Sequence, residues 1–337
     1  MDITQIRQLL NVEAYNEKTT AVKLVETHVS WVLLTDQFAY KIKKPVKFSF
    51  LDFSTLEKRR YYCERELQLN ARLTSDMYLA VAPIIYENEQ YYIGKEGEVI
   101  DYALKMKRLD SARQMHDLLQ LNKVTPGDIQ KLAYQIADFH QRAELITNPV
   151  NITELQHNFA DILRIRDFLT AHLKKETLHI LEAAVEKATR FLRKHEARLK
   201  ERGAAGFIID GHGDLHAGNI FLLEEPVIFD CLEFNDNFRR LDMLDEVAFL
   251  CLDLDYYNRP DLEQDFLAHY LAKMPCLRDE EDREIFNYYK LYRANVRLKV
   301  TFLKAKQQVS TSAAFQEEFD VARRYFELFE QYLELLN

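Results

Sequence analysis

Short runs of branched and aromatic residues punctuate the first third of the chain. Ala21–Glu26 (AVKLVE), Val29–Leu34 (VSWVLL) and Phe38–Lys43 (FAYKIK) predict strands, with Asp36-Gln37 turning between the last two. Ser54, followed three residues on by Glu57, predicts a capping box opening a helix that continues through Glu66 and Leu69 to about Leu73. Val81–Tyr86, Tyr91–Ile93 and Val99–Leu109 predict further strands, with a turn at Lys95–Gly97.

Beyond residue 110 the apolar spacing becomes helical. Thr125-Pro126 supplies an N-cap and a first-turn proline, and Ile129, Leu132, Ala133, Ile136 and His140 mark one helical face. Charged helical segments fill roughly 151–202, with a break at Gly203–Gly206. Short strands follow at Ile220–Leu223 and Val227–Asp230 across a Glu-Glu-Pro turn, and the chain from Arg239 on is helical, including Glu280–Lys306 and Ala313–Leu336. The pattern divides the protein near Leu109 into a strand-rich part, 1–109, and a mainly helical part, 110–337. It contains no internal repeat and no low-complexity tract.

Hydrophobic residues make up 47% and charged residues 29% of 337, an ordinary globular balance. A formal net charge of −9 argues against general nucleic-acid binding. Cys63, Cys231, Cys251 and Cys276 are far apart, without zinc-ligand spacing, and are expected as buried thiols. The opening MDITQIRQLLN is not a signal peptide pattern, and no run reaches the roughly 18 apolar residues of a membrane span. The expectation is a reducing, cytoplasmic protein with no membrane partner.

Glycine is scarce, eight in all, and three fall in one stretch, Gly211-His212-Gly213-Asp214-Leu215-His216-Ala217-Gly218-Asn219. Asp214 and Asn219 stand five apart, and a second carboxylate, Asp230, ends the apolar run eleven residues later. Kinase chemistry needs such a set: one Asp to orient an acceptor hydroxyl, an Asn and another Asp to hold Mg²⁺ on the phosphates. A strand-rich part followed by a helical part with an inserted hairpin is the element order of a kinase-like fold. HExxH, Rossmann glycines and a Cys/His nucleophile set are absent from the sequence.

The Gly-His-Gly-Asp-Leu-His-x-Gly-Asn stretch resembles the catalytic loop of the aminoglycoside phosphotransferase and choline kinase-like family. The YKIKKPVKFSFLDFSTLEKRR and CLEFNDNFRRLDMLDE blocks are similar to a bacterial subgroup, some members of which are fused to a P-loop ATPase domain. This sequence has no GxxxxGK[ST], so it would be the phosphotransferase-like part alone. The resemblance, over about Ala21 to Lys306, implies an α+β, two-lobed protein-kinase-like fold with a small antiparallel-sheet N-lobe for nucleotide and a larger, mainly helical C-lobe for catalysis and acceptor. It implies an ATP- and Mg²⁺-dependent phosphotransferase acting on a small-molecule hydroxyl. Asp214 would be the catalytic aspartate, His212 the brace of its loop, and Asn219 and Asp230 the metal ligands.

Phe38-Ala39-Tyr40-Lys41 resembles the kinase strand whose lysine meets the phosphates. Lys43 faces the same side of the strand, so periodicity leaves both open; the motif favours Lys41. Glu66 best fits the family's glutamate partner, with Glu64 as the rival. Met106-Lys107-Arg108-Leu109 falls where a hinge would meet adenine through backbone groups of Lys107 and Leu109. Glu233 matches a choline kinase-like acceptor glutamate. The expected glycine loop is missing; Glu26-Thr27-His28 connects the first two strands. Arg239, Arg240, Asp242, Asp245 and Glu246 form a polar cluster that either braces the loop or opens a solvated helix. Arg293 and Arg297, one turn apart, either pair with carboxylates or reach an anionic acceptor. Two alternatives stand beside the small-molecule kinase: transfer of a phosphoryl or nucleotidyl group to a polypeptide, and a pseudokinase-like module serving a separately encoded protein partner.

Overall fold

The computed structural model of the protein describes all residues except 49–50, 75, 148–149, 173–174, 307, 309–311 and 337. Ser49 and Phe50 of the first family-like block, and 173–174 of the expected helical stretch, therefore lie outside the described residues. The elements in chain order are α1 (Ile3–Gln8), β1 (Lys23–Glu26), β2 (Ser30–Leu34), β3 (Phe38–Lys43), α2 (Leu56–Asn70), β4 (Tyr78–Glu87), β5 (Gln90–Ile93), β6 (Val99–Lys107) and α3 (Met115–Gln120). Helices α4 (Pro126–Arg142), α5 (Ile152–Ala160), α6 (Arg166–His172), α7 (Lys175–Lys194) and α8 (Glu196–Ala204) follow. Then come β7 (Ile208–Asp210), β8 (Ile220–Phe221), β9 (Val227–Ile228), β10 (Arg240–Asp242), α9 (Met243–Tyr256), α10 (Pro260–Lys273), α11 (Glu280–Lys306) and α12 (Ala313–Leu335). A small antiparallel-sheet lobe and a larger, mainly helical lobe result, as expected.

The chain forms two compact units that interleave in sequence. One comprises Met1–Leu118, His212–Asp214 and Gly218–Arg239; the other comprises Leu119–Gly211, Leu215–Ala217 and Arg240–Asn337.

The first unit is built on an antiparallel sheet of order β1-β2-β3-β6-β4-β5. Two-residue alternation gives β3 two different faces. Tyr40 and Ile42 join a core with Ile6, Leu9, Trp31, Leu33, Ile84, Ile93 and Ala103. Ala39 joins a second cluster with Met77, Tyr78, Leu104 and Met106, so Lys41 and Lys43 share its face. Helix α2 packs on β4 and β6. Its buried residues, Arg59, Cys63, Glu66, Leu69 and Asn70, are mostly polar, so ion pairs dock it: Arg59 Nε lies 2.8 Å from buried Asp101. Helix α2 starts one residue later than expected. Thr55, not Ser54, is the N-cap and accepts from the Lys58 N–H, because Ser54 Oγ donates to Asp52 at 2.5 Å. Strand β6 ends at Lys107 rather than Leu109, where the Arg108 N–H turns to the Gln37 carbonyl.

In the second unit Thr125 caps α4 in a capping box with Asp128, ahead of Pro126, as the sequence predicts. Helix α4 packs with α10, and α11 with α9 and α12. The three-residue strands β7 and β10, absent from the sequence reading, pair with Arg240 opposite Asp210. The cluster at Asp242–Glu246 is not a solvated helix start. Asp242 receives Arg202 through two bonds of 2.7 Å while capping α9, and Asp245 receives Arg293 at 2.7 Å. Arg297 donates to the Tyr325 hydroxyl at 2.8 Å. All four cysteines are buried thiols, none in a disulfide. Among the described residues no helix is long and apolar enough to cross a membrane.

Candidate active site

Strand β3 aims Lys41 and Lys43 at one carboxylate on α2. Lys41 Nζ lies 2.8 Å from Glu66 Oε1, and Lys43 Nζ lies 2.7 Å from Glu66 Oε2. Each ammonium has a second partner from the segment after β9: Lys41 meets Asp230 Oδ1 at 2.5 Å, and Lys43 meets Glu233. Five groups thus alternate as Asp230, Lys41, Glu66, Lys43, Glu233. Burial pushes the Glu66 carboxyl up, but Lys41 and Lys43 overcome it and hold it well below the usual range. Burial pushes the Lys41 ammonium down, and Asp230, Glu66 and Glu233 outweigh it, keeping the group charged. Glu233 goes the other way: burial raises its carboxyl more than Lys43 lowers it. Lys43 is no solvated edge lysine, because β3 is an interior strand and the side chain is 1% exposed. Glu64 points elsewhere and pairs with Arg60 one turn away, at 2.9 Å.

Asp230 has φ +61, a left-handed backbone that Asp tolerates better than most residues. Two bonds across the unit hold it there. Its N–H donates to the Tyr78 hydroxyl at 2.9 Å, and the next N–H, of Cys231, donates to Asn70 Oδ1 at 2.9 Å. Asn70 Nδ2 in turn donates to the Glu66 carbonyl at 2.8 Å, tying this segment to α2. Downstream, Asp236 accepts from Arg65 of α2 and from fully buried Arg239, which also donates to the Leu232 carbonyl. The Asp230 carboxylate itself is 40% exposed. Glu233 is 7% exposed and pairs with Lys43, so it is part of the lysine network.

In the same unit His212 is buried, with Nε2 2.8 Å from the Phe229 carbonyl. That nitrogen carries the proton, leaving Nδ1 to accept the Asp214 N–H at 3.2 Å. The imidazole therefore links the Asp214 loop to the strand leading into Asp230. Gly213 has φ +85, and a Cβ there would meet the Phe238 carbonyl at 3.0 Å. Asn219 Nδ2 donates to the Asp214 carbonyl at 3.0 Å and to its carboxylate at 3.2 Å, which leaves the carboxamide oxygen as its lone-pair donor. Arg113 and Gln114 hold the hairpin of β8 and β9, Gln114 donating to the Gly218 carbonyl at 2.6 Å. Within the second unit the Ala217 N–H donates to Asp253 at 2.9 Å, and Gly211 lies so close to Glu246 that a methyl would run into its carboxylate.

The second apolar cluster carries Val32, Leu34, Leu67, Val81, Leu109, Val227 and Phe229 around its buried members. Ala39 of this cluster lies on the same face of β3 as Lys41. Met106, 6% exposed, is core. The Lys107 N–H is already spent on the Met77 carbonyl at 2.8 Å, so of its backbone groups only the carbonyl remains for a ligand; Leu109 packs at the cluster's edge. The short β1–β2 connection is closed by Thr27 and Ser30 rather than glycines, the Thr27 N–H donating to the Ser30 carbonyl at 2.9 Å.

No protein-family model matches the chain. Uncharacterized proteins of Mycobacterium bovis and Mycobacterium tuberculosis are each 32% identical to it over 294 residues, 86% of this chain and 56% of theirs. The chain thus spans about half the length of these curated relatives. A choline kinase from Cryptosporidium parvum superposes with a TM-score of 0.59 at 12% identity, over 98% of this chain and 95% of that one. A choline/ethanolamine kinase family protein from Mesorhizobium loti gives 0.54 at 11% identity, over 94% and 92%. A thermostable mutant of an aminoglycoside phosphotransferase gives 0.52 at 12% identity, over 94% and 95%. The fold is kinase-like.

Within the first unit of this kinase-like fold, the structure gathers two groups of residues singled out by the sequence: Lys41, Lys43, Glu66, Asp230 and Glu233 in one network, His212, Asp214 and Asn219 in another. Tyr78 and Asn70 were missed. Neither lies in a motif; each acts on Asp230 or Cys231 from more than 150 residues away. The donors fit magnesium carried by a nucleotide. Mg²⁺ takes one or two side-chain oxygens and completes its shell with water and phosphate, and Asn219 and Asp230 offer a carboxamide oxygen and an accessible carboxylate. Among the described residues no group of three or more His, Cys, Asp or Glu side chains is arranged to hold a metal ion.

Proposed function

We propose that the protein transfers the γ-phosphoryl group of ATP to a hydroxyl of a small molecule. The observation that carries this reading is the linked set in the first unit. A lysine pinned by a buried glutamate meets Asp230, and Asp214 is joined to Asn219 and, through His212, to the strand leading into Asp230. Lys41 would bind phosphate oxygens, with Glu66 fixing its ammonium. Asn219 and Asp230 would hold Mg²⁺, which supplies charge neutralisation on the phosphates when bound. Asp214 would accept the hydrogen bond of the acceptor hydroxyl and take its proton as the new P–O bond forms and the bond from the γ-phosphorus to the bridging oxygen breaks, releasing ADP. His212 would keep that carboxylate aligned. The similarity to choline kinases and an aminoglycoside phosphotransferase supports a hydroxyl acceptor.

The test is thermal unfolding with ATP, with Mg²⁺ and with both, on the wild type and on Asp230→Ala. Stabilisation that requires both ligands and vanishes in the variant is expected. No shift at millimolar ATP and Mg²⁺ would overturn the reading. With ATP labelled on its γ-phosphate and candidate alcohols, Asp214→Ala should lower turnover about 10²–10⁴-fold with ATP still bound. Label accumulating on polypeptide would instead make the acceptor a protein.

A further inference from the structure

Phosphoryl transfer as proposed uses Lys41, Glu66 and Asp230, yet the network contains a second buried ion pair, Lys43 with Glu233. Its position is specific. Lys43 occupies the Glu66 oxygen that Lys41 leaves free, is 1% exposed, and lies over the Phe53 ring with Nζ 4.8 Å from the centroid. Glu233 follows Asp230 by three residues, so the pair fastens the segment bearing Asp230 directly to β3.

The charges explain why such a pair would be needed. The alternating set holds two ammonium groups against three carboxylates. Binding a magnesium nucleotide would turn Lys41 toward phosphate and Asp230 toward the metal. Fully buried Glu66 would then lose part of its counter-charge, and an uncompensated buried carboxylate is strongly disfavoured. Lys43 supplies a counter-charge that does not move. Asp230, its backbone held left-handed, would likewise lose the contact between its carboxylate and Lys41, leaving the Tyr78, Asn70 and Glu233 links to keep the segment placed.

Resting on the reading above, we infer that Lys43 and Glu233 are positioning residues: a fixed ion couple that keeps Glu66 ionised and the 230–233 segment in place while Lys41 and Asp230 engage phosphate and metal. Lys43 therefore does not touch the nucleotide. It shares Glu66 with Lys41, but its second partner is Glu233 rather than Asp230, and two residues of strand set the two Cα positions about 7 Å apart along β3.

The experiment is calorimetric titration of the full chain with ADP, with and without Mg²⁺, on the wild type, Lys43→Met, Lys43→Arg and Glu233→Gln. Unfolding of each is followed by fluorescence of Trp31, the one tryptophan. Lys43→Met and Glu233→Gln should each weaken Mg²⁺-dependent ADP binding about 10–100-fold, as supporting partners of metal ligands do. Lys43→Arg should retain affinity within a few-fold. The sign of the Glu233→Gln effect decides between positioning and direct contact: a lysine that binds phosphate itself would be freed by that change, and affinity would hold or rise. A lowered unfolding midpoint with unchanged affinity would make the couple merely structural and overturn the inference. Should Lys43→Met fail to fold, Glu233→Gln carries the test. Wild-type binding with unaffected variants overturns this inference alone; a wild type that binds no Mg²⁺·ADP overturns the underlying reading and the inference with it.

Discussion

Replacing Glu66 by Gln removes the carboxylate shared by Lys41 and Lys43, and its cost should depend on pH in a defined way. The folded carboxyl sits at about 2, against 4.5 for the ordinary group. A depression of that size corresponds to about 3 kcal/mol of stability, of the same order as breaking a buried ion pair. Because the folded pKa is the lower one, this contribution is complete above pH 4.5 and is lost as pH falls toward 2. Glu66→Gln should therefore be less stable than wild type by about 3 kcal/mol at pH 7, by the same amount at pH 5.5, and by progressively less between pH 4.5 and 3. Trp31, 5% exposed in β2, reports unfolding of the unit that holds Glu66. With a urea slope of roughly 1–3 kcal/mol/M, the midpoint should move by ~1 M or more at neutral pH. A difference that stays constant or widens down to pH 3 would refute the argument that the two ammonium groups keep Glu66 ionised.

Gly213→Ala forces a side chain into φ +85 with its Cβ 3.0 Å from the Phe238 carbonyl. It should cost about 2 kcal/mol or more, read by the same fluorescence transition. Asn70→Ala should cost about 1–3 kcal/mol, because it leaves the buried Cys231 N–H without its acceptor, and should also weaken Mg²⁺·ADP binding in calorimetry. Glu64→Ala, which removes only the surface pair with Arg60, should change stability by less than ~0.5 kcal/mol.

The two-lobed order and the trio Asp214, Asn219 and Asp230 were legible because both are written in local spacing: alternation, helical period and a glycine-rich loop. The choice between Lys41 and Lys43 was not, since a period of two puts both on one face, and the structure engages both with Glu66. Glu64 and Glu66 stand two apart on a helix, and only the packing of α2 shows which turns inward. Tyr78 and Asn70 carry no signal of their own. Their roles exist only once β4, α2 and the end of β9 are assembled. The same holds for Glu233, which the family resemblance makes an acceptor candidate and which in the structure pairs with a lysine 190 residues earlier.

That separation has a consequence for how the protein is made. Lys41 finds Asp230 across 189 residues, and the stretch between supplies about half of the other unit, Leu119–Gly211 and Leu215–Ala217. At translation rates of about 5–20 residues per second, roughly 10–40 s pass between the emergence of the two lysines and that of their last carboxylates. During that interval Glu66, 25 residues from Lys41, is the one of their three folded-state carboxylate partners already made. The sheet of the first unit is born electrically incomplete, and the hairpin and carboxylates that complete it arrive only after the helices of α4–α8 have been synthesised.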